Sequence, residues 1–130
     1  MTEAPIKIKA KEPLPEIHFD FQANRFAIRG TCYPENVRSF FGDITDKLER
    51  HLQALNGATV AFELELSYFN SSATRVFYTM FEALEACAAA GNQVTVTWLH
   101  APGDENMVEL AEEFEEDFDA AKFVIKPSAA

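Results

Sequence analysis

The sequence predicts a single-domain α/β fold with a mostly parallel sheet and an antiparallel hairpin at its N-terminal side. Three observations predict it. Short stretches that alternate apolar and polar residues are interleaved with longer stretches whose apolar residues recur every three or four positions. Strands separated by helices need crossover connections, which run parallel strands side by side. The chain has 130 residues, is 48% hydrophobic and holds twelve Phe, enough for one well-filled core.

Residues 1–15 are polar, carry Pro5, Pro13 and Pro15, and read as an N-terminal arm with a short strand between Ile6 and Ala10. Ile17-His18-Phe19-Asp20-Phe21 then alternates as a half-buried strand does. Gln22-Ala23-Asn24 turns the chain, and Arg25 to Gly30 alternates again, completing the hairpin. Pro34 suits the first position of a helix that reaches about Leu55. Its stripe is Val37, Phe40, Phe41, Ile44, Leu48, Leu52 and Leu55, with Gly42-Asp43 a point of loosening and Asn56-Gly57 the stop.

Thr59 to Leu66 is a central strand. A second helix runs from Ser71 to Ala90, burying Val76, Phe77, Met80, Leu84 and Cys87, and Gly91-Asn92 ends it. Gln93 to Leu99 is a strand. Pro102-Gly103-Asp104 leads into a third helix with Met107, Leu110, Ala111, Phe114 and Phe118 on one face. Lys122 to Lys126 is the last strand, and residues 127–130 are a tail.

Composition narrows the function classes. The net charge is −10, and residues 104–119 hold nine acids without a Lys or Arg. Such a chain repels phosphate backbones and anionic bilayers, so neither nucleic acid nor a membrane surface is an expected partner. The acidic run is either a solvated helix face or a docking face for a basic protein. No apolar stretch reaches the roughly 18–20 residues of a membrane span. The N-terminus has no apolar signal core, so a cytoplasmic location is expected. Cys32 and Cys87 read as reduced core residues.

Catalytic and cofactor motifs are missing. His18, His51 and His100 are scattered, without a metal-ligand spacing, and no metal or other cofactor is expected. No phosphate-cradling glycine motif occurs among the five glycines. Glu63 and Glu65 fit solvent-facing alternation on a strand. Ser71, at a strand-to-helix junction, is open to three uses: a helix cap, a nucleophile, or a phosphorylated switch. His100 follows a strand that can end beside Ser71, so a Ser-dependent hydrolase is geometrically possible, though no GxSxG elbow surrounds the serine. A binding module without a small-molecule substrate fits the chain better than a catalyst.

The segment Leu66-Ser67-Tyr68-Phe69-Asn70-Ser71-Ser72 resembles the phosphorylation loop of STAS-type anti-sigma-factor antagonists, where Asp-Ser-Ser-Gly stands at such a junction. Here Asn70 replaces the Asp and Ala73 the Gly. Gly30 with Tyr33-Pro34-Glu35-Asn36, Tyr68 to Ser72, Val96-Thr97-Trp98 and Leu110 to Asp117 together resemble the SiaC family of regulatory phosphoproteins, from about Ile17 to Ile125. That resemblance implies a STAS-like domain without catalytic activity. It implies phosphorylation on Ser71, directly after the Asn, by a dedicated kinase, and removal by a PP2C-type phosphatase. The unphosphorylated form would bind and activate a diguanylate cyclase, raising cyclic di-GMP and favouring aggregation or biofilm growth. Tyr33, Pro34, Glu35, Asn36, Tyr68, Phe69, Asn70, Ser72, Thr74 and Arg75 would form the switch and partner surface, with Arg75 placed to pair with the phosphate. Cys32 stands where the family often has Ser, and Ala73-Thr74-Arg75 replaces a more usual Ser-Ser-Lys or Ser-Ile-Lys. The alternative partner is an anti-sigma factor or another kinase, titrated by partner switching.

Overall fold

A computed structural model describes residues 3–128; Met1-Thr2 of the arm and Ala129-Ala130 of the tail lie outside them. In chain order the elements are β1 Ile6–Ile8, β2 Glu16–Asp20, β3 Arg25–Cys32, α1 Val37–Gln53, β4 Thr59–Phe69, α2 Ser71–Ala89, β5 Gln93–His100, α3 Glu105–Glu116 and β6 Lys122–Pro127. They build one six-stranded sheet in the order β1-β2-β3-β4-β5-β6. β1, β2 and β3 pair antiparallel, and β3 to β6 run parallel.

Sequential order has a geometric consequence. When every crossover is right-handed and each new strand adds on the same side, all the helices fall on one face. Phe19, Phe26, Ile28, Phe62, Leu64, Val96 and Trp98 belong to that face and are fully or almost fully buried. The other face carries Ala27, Arg29, Glu63, Glu65, Thr95 and Thr97, all partly or fully exposed. Parallel sheets normally bury both faces. Here the uncovered side is held by charge, with Arg29 bonded to Glu63 at 2.7 Å and to Glu16 at 3.3 Å.

The core between helices and sheet is aromatic. Phe81 sits at its centre, edge-on to Phe62, Phe114 and Phe123 at centroid distances of 6.0, 5.3 and 5.4 Å. Edge-to-face contacts of this kind add about 0.5–1.5 kcal/mol each beyond burial. Glu85 of α2 fastens the α3–β6 connection: its carboxylate accepts from the backbone N–H groups of Asp119, Ala120 and Ala121 at 2.8–3.0 Å. Burial alone would raise the Glu85 pKa, but these bonds, led by that from Ala120, outweigh it and hold it below the ordinary range.

Several expectations need correction. Pro34 is not the first helical residue: α1 begins at Val37 behind the cap Asn36, because Asn36 Oδ1 accepts from the Ser39 N–H at 3.1 Å. The helix runs unbroken through Gly42-Asp43 and stops at Gln53, two residues before the expected end. Leu110, placed on the buried face of α3, is 38% exposed, because Met107, Ala111 and Phe114 already fill the contact with the sheet. The short strand expected from Ile6 to Ala10 forms but stops at Ile8, and it joins the sheet, with Ile6 and Ile8 paired to Phe19 and Ile17. Pro127 ends β6, and the Ser128 N–H bonds to the His100 carbonyl at 2.7 Å. β4 extends three residues beyond Leu66, and that extension shapes the site.

Candidate functional site

β3 and β4 are neighbours, and each ends at the same edge of the sheet before entering a helix. Their register slips between Gly30 and Thr31: Gly30 pairs with Leu66, but Thr31 pairs with Tyr68. Ser67 is the extra residue of this bulge, and Gly30 accommodates it at φ 108°. The slip reverses the alternation of β4. Val60, Phe62, Leu64 and Leu66 point into the core, but beyond the bulge Tyr68 is 54% exposed and Phe69 turns inward. Phe69 packs against Phe77 and Trp98, at 5.5 and 6.0 Å between centroids.

Tyr68 meets Tyr33 edge-on at 5.7 Å, forming a surface aromatic pair. Tyr33 donates to the Glu12 carboxylate at 2.6 Å, and its N–H bonds to the Pro13 carbonyl at 3.0 Å, which pins the β1–β2 loop beside it. The bond to Glu12 raises the Tyr33 pKa. Cys32, one residue earlier, is fully buried, and burial pushes its thiol up to about 12, so it stays an inert thiol.

Asn70 ends the strand and caps α2. Its backbone is extended, at φ −95° and ψ 176°, and its side-chain oxygen accepts from the Ala73 N–H at 2.9 Å. Its own N–H bonds to the Cys32 carbonyl at 3.2 Å, and its carbonyl accepts from the Thr74 hydroxyl at 3.2 Å. The capping function is thus Asn70's. Ser71 and Ser72 are exposed, and among the described residues neither hydroxyl makes a hydrogen bond. Ala73 is fully buried, so the small residue here is demanded by packing.

Ser71 and Ser72 line a groove of about 570 Å³ between α1 and α2, with Val37, Arg38, Phe41, Arg75 and Val76. The structure therefore joins Ser71, Ser72 and Arg75 in one cavity and sets Tyr68 and Tyr33 at the strand ends leading to it. Pro34 is buried and Asn36 caps α1, so both shape the loop; Glu35 is exposed. Thr74 is half-buried and bonds back to Asn70. Arg38 was not singled out from sequence. It looks like any solvated helix residue until α1 is packed beside α2, and its place two residues after a cap was the one available signal.

None of the three histidines lines this groove. His100 Nδ1 lies 3.0 Å from the Ala101 carbonyl, and His51 Nε2 lies 2.6 Å from Asn24 Oδ1. Among the described residues no three His, Cys, Asp or Glu side chains converge as metal ligands. Among them, too, no helix is long and apolar enough to cross a membrane.

Comparison with known proteins matches the same architecture. A family model described as SiaC family regulatory phosphoprotein matches residues 8–128. An uncharacterized protein of Pseudomonas aeruginosa strain UCBPP-PA14 is 34% identical over 112 residues, 86% of this chain and 88% of that protein. The crystal structure of apo-SiaC from Pseudomonas aeruginosa superposes with a TM-score of 0.85 at 31% identity, covering 95% of this chain and 99% of that one. A chain in the crystal structure of the diguanylate cyclase SiaD in complex with its activator SiaC, from the same organism, gives a TM-score of 0.87 at 32% identity, with 95% and 99% covered. With its model matched over nearly the whole length, the chain belongs to the SiaC family of regulatory phosphoproteins.

Proposed function

We propose that this protein is a non-catalytic adaptor that binds and activates a diguanylate cyclase, and that phosphorylation of Ser71 turns the interaction off. One observation carries the reading: Asn70 satisfies the helix terminus, leaving the exposed Ser71 hydroxyl with no structural bond to lose. That SiaC of Pseudomonas aeruginosa is the activator of the cyclase SiaD supplies the partner class. A dedicated kinase and a PP2C-type phosphatase would set the phosphorylation state in the cytoplasm, and cyclic di-GMP, with the aggregation or biofilm growth it favours, would be the output.

The chemistry is balanced and simple. The Ser71 oxygen forms a bond to the γ-phosphorus of ATP, the bond to ADP breaks, and the hydroxyl proton leaves to a base of the kinase. The product adds about −1.5 to −2 charges at a helix start, where a negative group gains about 0.3–1 kcal/mol. The fold tolerates it. A partner packed over Tyr68 and Ser71 would have to desolvate a dianion, and losing several kcal/mol weakens binding hundreds-fold or more. The net charge of −10 keeps nucleic acid and anionic membranes out of the partner set.

Incubation with ATP and a cognate Ser/Thr kinase, followed by peptide mapping, tests the switch. One phosphoryl group on Ser71, absent in Ser71→Ala, is expected, together with loss of cyclase activation in Ser71→Asp. Phosphate scattered over surface hydroxyls, or a cyclase indifferent to Ser71→Asp, would sink the reading.

A further inference from the structure

We infer that the α1–α2 groove is an intramolecular receptor for the phosphate carried on Ser71, with Arg38 and Arg75 as its two cationic arms; this rests on the reading of Ser71 as phosphoacceptor. Of the eleven Lys and Arg, three form ion pairs among the described residues. Arg29 is bracketed by Glu16, Glu63 and Glu65, while Lys47 and Arg50 each reach one acid. Among the described residues, Arg38 and Arg75 alone line the groove as cations, and neither has a carboxylate within ion-pair distance.

They come from different helices. Arg75 stands four residues after Ser71, one turn along the same face of α2. Arg38 is the second residue of α1 and reaches the groove from the opposite wall. The floor between them includes the buried Phe41 and the half-buried Val37 and Val76. An apolar floor lowers the local dielectric and strengthens charge-assisted bonds above it. A phosphomonoester on Ser71 has three acceptor oxygens, enough to take both guanidinium groups and tie α1 to α2. The modification then does more than repel a partner: it fills the groove and occupies its cations.

The test installs phosphoserine at position 71 by genetic encoding, so no kinase is involved, and follows the ³¹P shift against pH. The second phosphate pKa, ordinarily about 6, is expected to lie lower in the protein. Arg38→Gln and Arg75→Gln should each raise it, and the double variant by about half a unit or more, a roughly threefold change in proton affinity. Arg38→Lys, which keeps the charge, should restore most of the depression, and circular dichroism of each variant verifies the fold. A pKa unmoved in the double variant overturns the receptor, and one moved by Arg75→Gln alone overturns the part assigned to Arg38. Failure of a kinase to modify Ser71 would instead strike the functional reading and leave this titration as it is.

Discussion

Replacing Asn70 and Ser71 separately by Ala tests the central step of the functional argument, that the cap and the acceptor are different residues. Asn70→Ala removes the 2.9 Å bond to the Ala73 N–H and leaves this donor of a fully buried residue unpaired at the start of a 19-residue helix. Loss of such a cap costs about 1 kcal/mol, within a range of about 0.5–2. The Thr74 hydroxyl bond survives, because it goes to the Asn70 backbone carbonyl. Ser71→Ala removes no hydrogen bond and places a better helix former in the first turn, so its effect should be neutral or stabilising by up to about 0.5 kcal/mol. The two variants should therefore differ by about 1–2 kcal/mol, or about 3–8 °C in Tm for a domain of this size. Urea unfolding followed by the fluorescence of Trp98 reads this directly, since the single Trp is fully buried in the core. If Ser71→Ala proves as costly as Asn70→Ala, the hydroxyl is structural and the argument for a free acceptor fails.

Three further outcomes are expected. Tyr68→Ala removes an exposed ring, so stability should change by less than about 0.5 kcal/mol; cyclase binding by calorimetry should weaken about tenfold or more if the ring anchors the interface. Glu85→Gln weakens three N–H bonds to the α3–β6 connection, and its effect should depend on pH. Because the folded-state pKa of Glu85 is depressed, its stabilisation is present above the ordinary glutamate range and is lost as pH falls through the lower folded value, so parent and variant should converge in acid denaturation. Gly30→Ala forces a side chain into φ 108°, costing about 1–3 kcal/mol in urea unfolding, with the strain focused on the bulge that turns Tyr68 outward.

The periodicities of the chain carried most of the fold because each element buries one face. Ile17, Phe19, Phe26 and Ile28 alternate inward, and Phe77, Met80, Phe81 and Leu84 follow the helical repeat. Where burial is incomplete the signal failed. β1 contributes only Ile6 and Ile8, both half-buried, so the strand expected from Ile6 to Ala10 ends early, at Ile8. Leu110 obeyed the helical repeat, yet a twelve-residue helix meets the sheet over too narrow a stripe to cover it. The Ser71 junction was legible because Asn-Ser-Ser follows an alternating strand directly. The bulge was not: its cause is a pairing between β3 and β4, and nothing in Leu66-Ser67-Tyr68-Phe69 alone says which aromatic faces in. Arg38 was hidden for the same reason, since its role depends on a neighbouring helix thirty-odd residues away.

The topology explains why these residues meet at all. β3 and β4 are parallel neighbours, so the chain leaves both at the same edge of the sheet. Each then enters a helix on the same face, and the two starts, capped by Asn36 and Asn70, come to lie side by side. Ligand sites of open α/β sheets gather at the carboxyl ends of strands for this reason. Both caps are Asn, and the choice has an electrostatic meaning at Asn70. An Asp would cap α2 as well and suit the helix dipole, but it would set a carboxylate against a dianion on the next residue. The neutral amide supplies the same acceptor oxygen without that repulsion, so the helix start can hold its shape whether Ser71 is modified or not. Asn70→Asp should accordingly leave the unphosphorylated protein as stable as the parent and lower the Tm of the form bearing phosphoserine at position 71. Equal Tm changes in the two forms would show that the cap and the phosphate do not sense each other.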